Sequence, residues 1–261
     1  MSEKKFFLGF NWKMNPSNIV DSQNLFASYK IPLESNKNCE IVVFPPSIYL
    51  VAGEIFRISR KIKCGLGAQD LSAADEGPYT GQISAKMLLD TEVKYSIIGH
   101  SETRDHYGLT NREVNEKVKT ALKNGISPVL CIGFQRDPGQ TEINYMELKT
   151  QIQAGLRQVK KIKLELHTKI IIAYEPVWAI GTGKTADSET ISTVHKFIKE
   201  VLISTLGVRK AEKIQVIYGG SVNDTNALEL SKIEGVDGFL IGGASLSPEK
   251  FAKIVNDLNA I

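Results

Sequence analysis

Short β-branched or aromatic runs recur along the chain, separated by longer stretches in which apolar residues return every three or four positions. The runs are Phe6 to Phe10, Ile41 to Phe44, Cys64 to Ala68, Tyr95 to Ile98, Val129 to Ile132, Ile170 to Tyr174, Ile214 to Tyr218 and Gly238 to Ile241. Each predicts a strand. The clearest helical stretches are Asn111 to Lys123, with Val114, Val118, Ala121 and Leu122 on one face, and Ser188 to Ile203, with Ile191, Val194, Ile198, Val201 and Leu202. Asn111 and Ser188 are the expected N-caps of these two, and Ser247 followed by Pro248 marks a third helix start. Strands alternating with helices predict a parallel sheet joined by right-handed crossovers. Eight such units in 261 residues, with no added block, favour closure. The expectation is one domain over 1–261, a (β/α)8 barrel of eight parallel strands with an outer ring of helices.

Composition narrows the class. Hydrophobic residues make up 42% and charged residues 23%, which is globular, and no apolar run approaches the ~20 residues that cross a bilayer. The start of the chain is too short in apolar residues for a secretory core. Cys39, Cys64 and Cys131 are odd in number and lack metal-ligand spacing, so a reducing cytoplasm is the expected location. A net charge of +3, with Lys and Arg spread out, excludes a basic nucleic-acid stripe. Neither a nucleic acid nor a membrane is an expected partner.

Candidate chemistry gathers at strand ends. In a parallel sheet the C-terminal ends share one face, and here they read Asn11-Trp12-Lys13, Gln69-Asp70, Gly99-His100-Ser101-Glu102, Glu175, Gly219-Gly220-Ser221 and Gly242-Gly243. Glu175 stands out, because a carboxylate at the tip of an apolar strand must reach solvent or be desolvated. After it come a stiff apolar hinge, Pro176-Val177-Trp178, and a small tip, Ala179-Ile180-Gly181-Thr182-Gly183-Lys184. The segment reads as a base with a lid. Glycines at the last two strand ends permit the close backbone approach that phosphate needs. There is no metal-ligand cluster, no Walker P-loop and no G-x-G-x-x-G opening a first helix, so no metal and no cofactor are expected.

These motifs resemble the triosephosphate isomerase family: F-N-W-K-M-N around Asn11 and Lys13, I-I-G-H-S-E-T-R around His100, A-Y-E-P-V-W-A-I-G-T-G-K around Glu175, Y-G-G-S-V around Ser221, and F-L-I-G-G-A-S-L around Gly242 and Gly243. The resemblance runs from Phe10 to Leu246. It implies a TIM barrel that interconverts dihydroxyacetone phosphate and glyceraldehyde 3-phosphate through an enediolate, a step of glycolysis and gluconeogenesis. It further implies Glu175 as base, a neutral His100 with Lys13 and Asn11 at the carbonyl oxygen, and phosphate held by Gly181, Ser221, Gly242 and Gly243 under the closing lid. The implied partners are a small phosphorylated triose and a second copy, in a homodimer made by the loop from Gly77 to Gln82. The remaining histidines, His106, His167 and His195, belong to surface or helix positions. Cys131 and Trp12 read as packing, and Trp178 as part of the hinge.

Four positions depart from the family pattern. Gln82 and Thr103 replace a glutamate and an arginine that pair across the family's dimer interface, which removes both charges together. Leu109 replaces a glutamate, and Phe134 replaces the acid that holds the lid tryptophan and a nearby arginine. A different hold on Trp178 and Arg104 is therefore expected. Two alternatives stay open: a phosphate-binding barrel without activity, and an isomerase of another sugar phosphate.

Overall fold

The computed structural model describes residues 5–29, 38–134, 143–163, 165, 167–176 and 186–260. Within them eight strands close into a barrel in chain order: β1 Phe6–Asn11, β2 Cys39–Phe44, β3 Gly65–Ala68, β4 Tyr95–Ile98, β5 Ser127–Phe134, β6 Ile171–Pro176, β7 Gln215–Tyr218 and β8 Gly238–Ile241. All eight pairings are parallel, including β1 with β8, where Phe10 registers with Ile241. The helices are α1 Ile19–Ser28, α2 Leu50–Ser59, α3 Ala85–Leu89, α4 Ser101–Tyr107, α5 Asn111–Lys123, α6 Tyr145–Gly155, α7 Ser188–Leu206, α8 Val208–Ala211, α9 Ala227–Ser231 and α10 Pro248–Asn259.

Alternation along each strand divides the core in two. On β2, Val42 and Phe44 point inward to meet Phe7, Ile97, Val129, Cys131, Ile171 and Ile217. Ile41 and Val43 point outward into the layer under the helices. On α5 the expected stripe of Val114, Val118, Ala121 and Leu122 is fully buried there, each large side chain contributing about 1.5–3 kcal/mol. At the N-terminal mouth Glu40 accepts hydrogen bonds from the Tyr95 hydroxyl and the Lys169 ammonium. Those contacts tie β2, β4 and the approach to β6 together at that end.

Two expected caps are corrected. Thr110, not Asn111, caps α5, in a reciprocal box with Glu113, because the Asn111 side chain is taken by Arg104. Asp187, not Ser188, caps α7 by accepting from the Thr190 N–H; a carboxylate at that position also meets the positive end of the helix. Ser247 caps α10 with Pro248 in the first turn, as expected. Strand β5 extends past its apolar run because Gly133 and Phe134 still pair with Glu175 and Pro176. That extension carries the ladder up to the rim, where the chemistry lies.

Candidate active site

Strand β1 ends at Asn11, whose Oδ1 accepts the Lys13 N–H at 2.9 Å. Lys13 has φ +54°, a left-handed conformation uncommon for a lysine. It is pinned there by that bond and by Gln69, which donates to the Lys13 carbonyl at 2.8 Å. The strained turn sends the ammonium into the barrel mouth, where Nζ lies 2.5 Å from Glu102 Oε1. Partial burial alone would raise the Glu102 carboxyl, but the hydrogen bond and charge of Lys13, with His100 beside it, outweigh it and hold Glu102 below the usual range.

Past β4, His100 caps the short helix α4, and its Nδ1 accepts the Glu102 N–H at 3.2 Å. An accepting Nδ1 leaves the ring proton on Nε2. That nitrogen lies 3.0 Å from Glu175 Oε1. The other carboxylate oxygen of Glu175 accepts the Ser101 N–H at 2.9 Å, and the residue is only 2% exposed. Two glycines make room for it: a Cβ on Gly133 would sit 1.9 Å from the Glu175 carbonyl oxygen, and one on Gly219 would sit 3.0 Å from Glu175 Cγ. A Cβ at 219 would press on the Glu175 side chain and lie 3.3 Å from the Tyr174 carbonyl oxygen. Cys131 lies beside Glu175, and burial pushes its thiol well up, which fits a protonated packing residue.

A cavity of about 280 Å³ joins these groups, lined by Asn11, Lys13, His100 and Glu175 on one side and by Ser221, Asn223, Gly242 and Gly243 on the other. Gly242 gives room to the Lys13 stem, 3.3 Å from its would-be Cβ, whereas a Cβ on Gly243 would meet no protein atom within 4 Å. The space at Gly243 is open to the cavity. The single turn that follows, Gly243–Leu246, is locked to the other side of the site. Ser245 Oγ donates to the Asn11 carbonyl at 3.0 Å, Tyr29 donates to the Ser245 carbonyl, and the fully buried Trp12 donates to the Tyr29 hydroxyl at 2.7 Å. Trp12 is the packing residue its sequence context implied. Its network fixes the distance between the cation and the glycine pair.

Of the expected site residues, Asn11, Lys13, His100, Glu175, Ser221, Gly242 and Gly243 converge on this one cavity. Pro176 ends β6. Val177, Trp178, Ala179, Ile180, Gly181, Thr182, Gly183 and Lys184 lie outside the described residues. Among the described residues no group of three or more His, Cys, Asp or Glu is placed to hold a metal, and no helix is long and apolar enough to cross a membrane.

A family model described as triosephosphate isomerase matches residues 6–258. The chain belongs to the triosephosphate isomerase family. It is 40% identical over 251 residues to the triosephosphate isomerase of Thermoanaerobacter sp. (strain X514), covering 94% of this chain and 96% of that one. Identity is 39% to that of Chlorobium phaeobacteroides (strain BS1), over 97% and 98% of the two chains. Arg104 donates to Asn111 Oδ1 at 2.7 Å and to the carbonyls of Gly99 and Cys131 at 2.8 and 3.4 Å. Burial pushes its guanidinium down, and the neighbouring Cys131 and Glu175 pull it back. An amide oxygen and two carbonyls thus hold the arginine.

Two contributors escaped the sequence reading. Glu102 was visible only as part of a polar strand end, since its hold on Lys13 spans 89 positions. Lys250, in the first turn of α10, lines the glycine side of the cavity, and no carboxylate lies within ion-pair distance of it among the described residues. Its position one helical turn after the G-G-A-S-L motif was the available signal.

Proposed function

We propose that this site isomerises dihydroxyacetone phosphate and glyceraldehyde 3-phosphate, a step of glycolysis and gluconeogenesis, with Glu175 as the base, His100 and Lys13 as electrophiles and the glycine pair as phosphate cradle. The observation that carries the reading is the buried Glu175 carboxylate 3.0 Å from the proton-bearing nitrogen of His100, at the edge of a cavity whose far wall is glycine.

The chemistry follows from these positions. Glu175 removes a proton from the carbon beside the carbonyl, the C–H electron pair forms the C=C bond, and the carbonyl π pair moves onto oxygen. His100 Nε2–H, the Lys13 ammonium and the Asn11 amide N–H face that oxygen and stabilise the charge that develops on it. Glu175 then returns the proton to the adjacent carbon, and the hydroxyl proton transfers between the two oxygens to complete the exchange. In this arrangement Glu175 Oε1 holds the His100 donor; a substrate carbonyl replaces it there, which frees the carboxylate to turn toward the carbon. His100 acting as a neutral imidazole at a helix N-terminus is a tuning for which this family is the established example. The 177–184 segment acts as the lid, again a device for which the family is the established example. Backbone N–H groups at Gly181, Ser221, Gly242 and Gly243 receive the phosphate.

A homodimer completes the reading. Beside Lys13 a second cavity of about 270 Å³ is lined by Met14, Gln69, Gly81 and Gln82, and both Met14 and Tyr79 are exposed. The 77–82 loop of a second copy fits that place, and the contact is less polar with Gln82 and Thr103 in place of the charged pair. A cytoplasmic location is supported by three buried free thiols.

The test is a coupled assay with glyceraldehyde 3-phosphate and with longer sugar phosphates, on the wild type and Glu175→Gln. The expected outcome is turnover of the triose alone, reduced by about 10²–10⁴ in the variant with a small change in KM. Wild-type turnover retained by Glu175→Gln would refute the assignment, and a monomer by light scattering would refute the dimer.

A further inference from the structure

The rim end of β5 runs past the end of β4. Strand β4 stops at Ile98, opposite Leu130, while β6 continues alongside, with Gly133 in register with Glu175 and Phe134 with Pro176. A strand edge that loses its neighbour leaves backbone donors and acceptors that need other partners. Side chains supply them here. The Cys131 carbonyl accepts from Arg104, and both backbone groups of Gly133 are taken by one residue of α6. Gln151 Oε1 accepts the Gly133 N–H at 2.9 Å, and Gln151 Nε2 donates to the Gly133 carbonyl at 2.8 Å. The same Nε2 also donates to Glu147 Oε1, one turn earlier on the helix, at 2.8 Å. Glu147 is itself held at the helix start, where Asn144 Oδ1 accepts its N–H at 3.0 Å. Gln151 is 5% exposed, and only one orientation of its amide satisfies an N–H, a carbonyl and a carboxylate together.

Gly133 is the residue on which the base rests. A Cβ there would sit 1.9 Å from the Glu175 carbonyl oxygen and 3.2 Å from Glu175 Cβ, so the Gly133 Cα lies directly against the Glu175 backbone. His100 and the Ser101 N–H hold the tip of the carboxylate, at 3.0 and 2.9 Å. They do not fix the height of its Cα in the barrel mouth, which comes from the ladder to β5. We propose that Gln151, oriented by Glu147, is a positioning residue for the catalytic base: it clamps the Gly133 peptide and thereby sets the Glu175 carboxylate against the substrate carbon. The inference rests on the reading of Glu175 as base. Displacing a reacting group by about 1 Å costs on the order of 10²-fold in rate, so a clamp that removes a fraction of that play has a measurable effect. The glycine pair follows β8, three strands away around the ring, and its hold on phosphate is independent of the clamp.

The test compares the wild type, Gln151→Met and Glu175→Gln. Gln151→Met keeps the length of the side chain and loses its hydrogen bonds. It is expected to fold, to lower kcat roughly tenfold and to leave KM and phosphate inhibition unchanged. A second readout needs no turnover: His100-Ser101 is the one His-Ser pair in the chain, so carbonyl-13C histidine with 15N serine isolates the Ser101 amide resonance. That amide donates to Glu175, and its shift is expected to move in Gln151→Met. Should Gln151→Met not fold, Gln151→Glu is expected to give the same split, since it keeps the acceptor for the Gly133 N–H and loses the donors. A folded Gln151 variant with wild-type kcat and an unmoved Ser101 amide overturns the inference, while loss of turnover in Glu175→Gln leaves the catalytic reading standing. A wild type without turnover overturns the catalytic reading instead, and the Ser101 amide then decides whether Gln151 sets the carboxylate.

Discussion

The proposed phosphate cradle can be tested at Gly243, where the backbone faces open space. A Cβ there meets no protein atom within 4 Å, while one on Gly133 would overlap the Glu175 carbonyl at 1.9 Å. Gly243→Ala is therefore expected to fold with an unchanged melting temperature and to raise KM, and the inhibition constant of inorganic phosphate, about tenfold, or ~1.4 kcal/mol. An unaltered phosphate constant would show that the anion sits elsewhere. Lys250 supplies the complementary case, an exposed cation on the rim of the same cavity. Lys250→Met should raise KM severalfold at low salt, leave kcat in place and flatten the salt dependence of kcat/KM, because a rim charge acts through long-range attraction that ions screen. Glu175, His100 and Lys13 were legible in the sequence because each sits at a strand end inside a distinctive motif. Lys250 was not, since one exposed lysine among many becomes meaningful only when α10 is placed against the glycine turn.

At the scale of elements, the alternation of apolar runs and helical stripes was sufficient to place every strand, because burial on both faces leaves a run that few other contexts produce. Boundaries were less legible where side chains had two possible uses. Asn111 has the composition of a cap, yet its oxygen accepts from Arg104 and the cap falls to Thr110. That choice ties the start of α5 to Arg104, which also reaches the Cys131 carbonyl on β5. The two roles separate experimentally. Thr110→Ala should cost about 1 kcal/mol in urea unfolding with normal turnover, the loss of a cap and nothing more. Asn111→Ala leaves a half-buried guanidinium one acceptor short, and should cost about 1–3 kcal/mol and also lower kcat/KM, because Arg104 holds the Gly99 and Cys131 carbonyls that neighbour the His100–Glu175 pair. Equal behaviour of the two variants in both measurements would mean that Asn111 is only a helix residue.

For the whole molecule, closure of the barrel was inferred from counting units within the chain length, and the β1–β8 pairing bears this out. What no pattern showed is how the closed ring treats His195. The sequence places it on a helix, and the structure buries it completely, its Nδ1 against the Gly235 carbonyl at 2.9 Å and its ring edge-on to Tyr174. Burial pushes its pKa down from 6.5 to about 4, with the Gly235 carbonyl and the Asp237 charge opposing and Lys199 adding to the fall. A folded-state pKa below the unfolded value means that the unfolded chain binds a proton the barrel refuses. Stability from this residue is therefore fully present above about pH 6.5 and is lost as pH falls toward 4, by about 3 kcal/mol across that window. Carboxylates held low by their partners, such as Asp187 and Glu113, are lost only at more acid pH, so the two contributions separate. The measurement is urea unfolding at a series of pH values on the wild type and His195→Gln. The variant is expected to be less stable at pH 7 but to show a pH-dependent loss between 7 and 4 that is smaller by about 3 kcal/mol. Parallel curves for the two proteins would mean that His195 is protonated as readily in the barrel as in the unfolded chain.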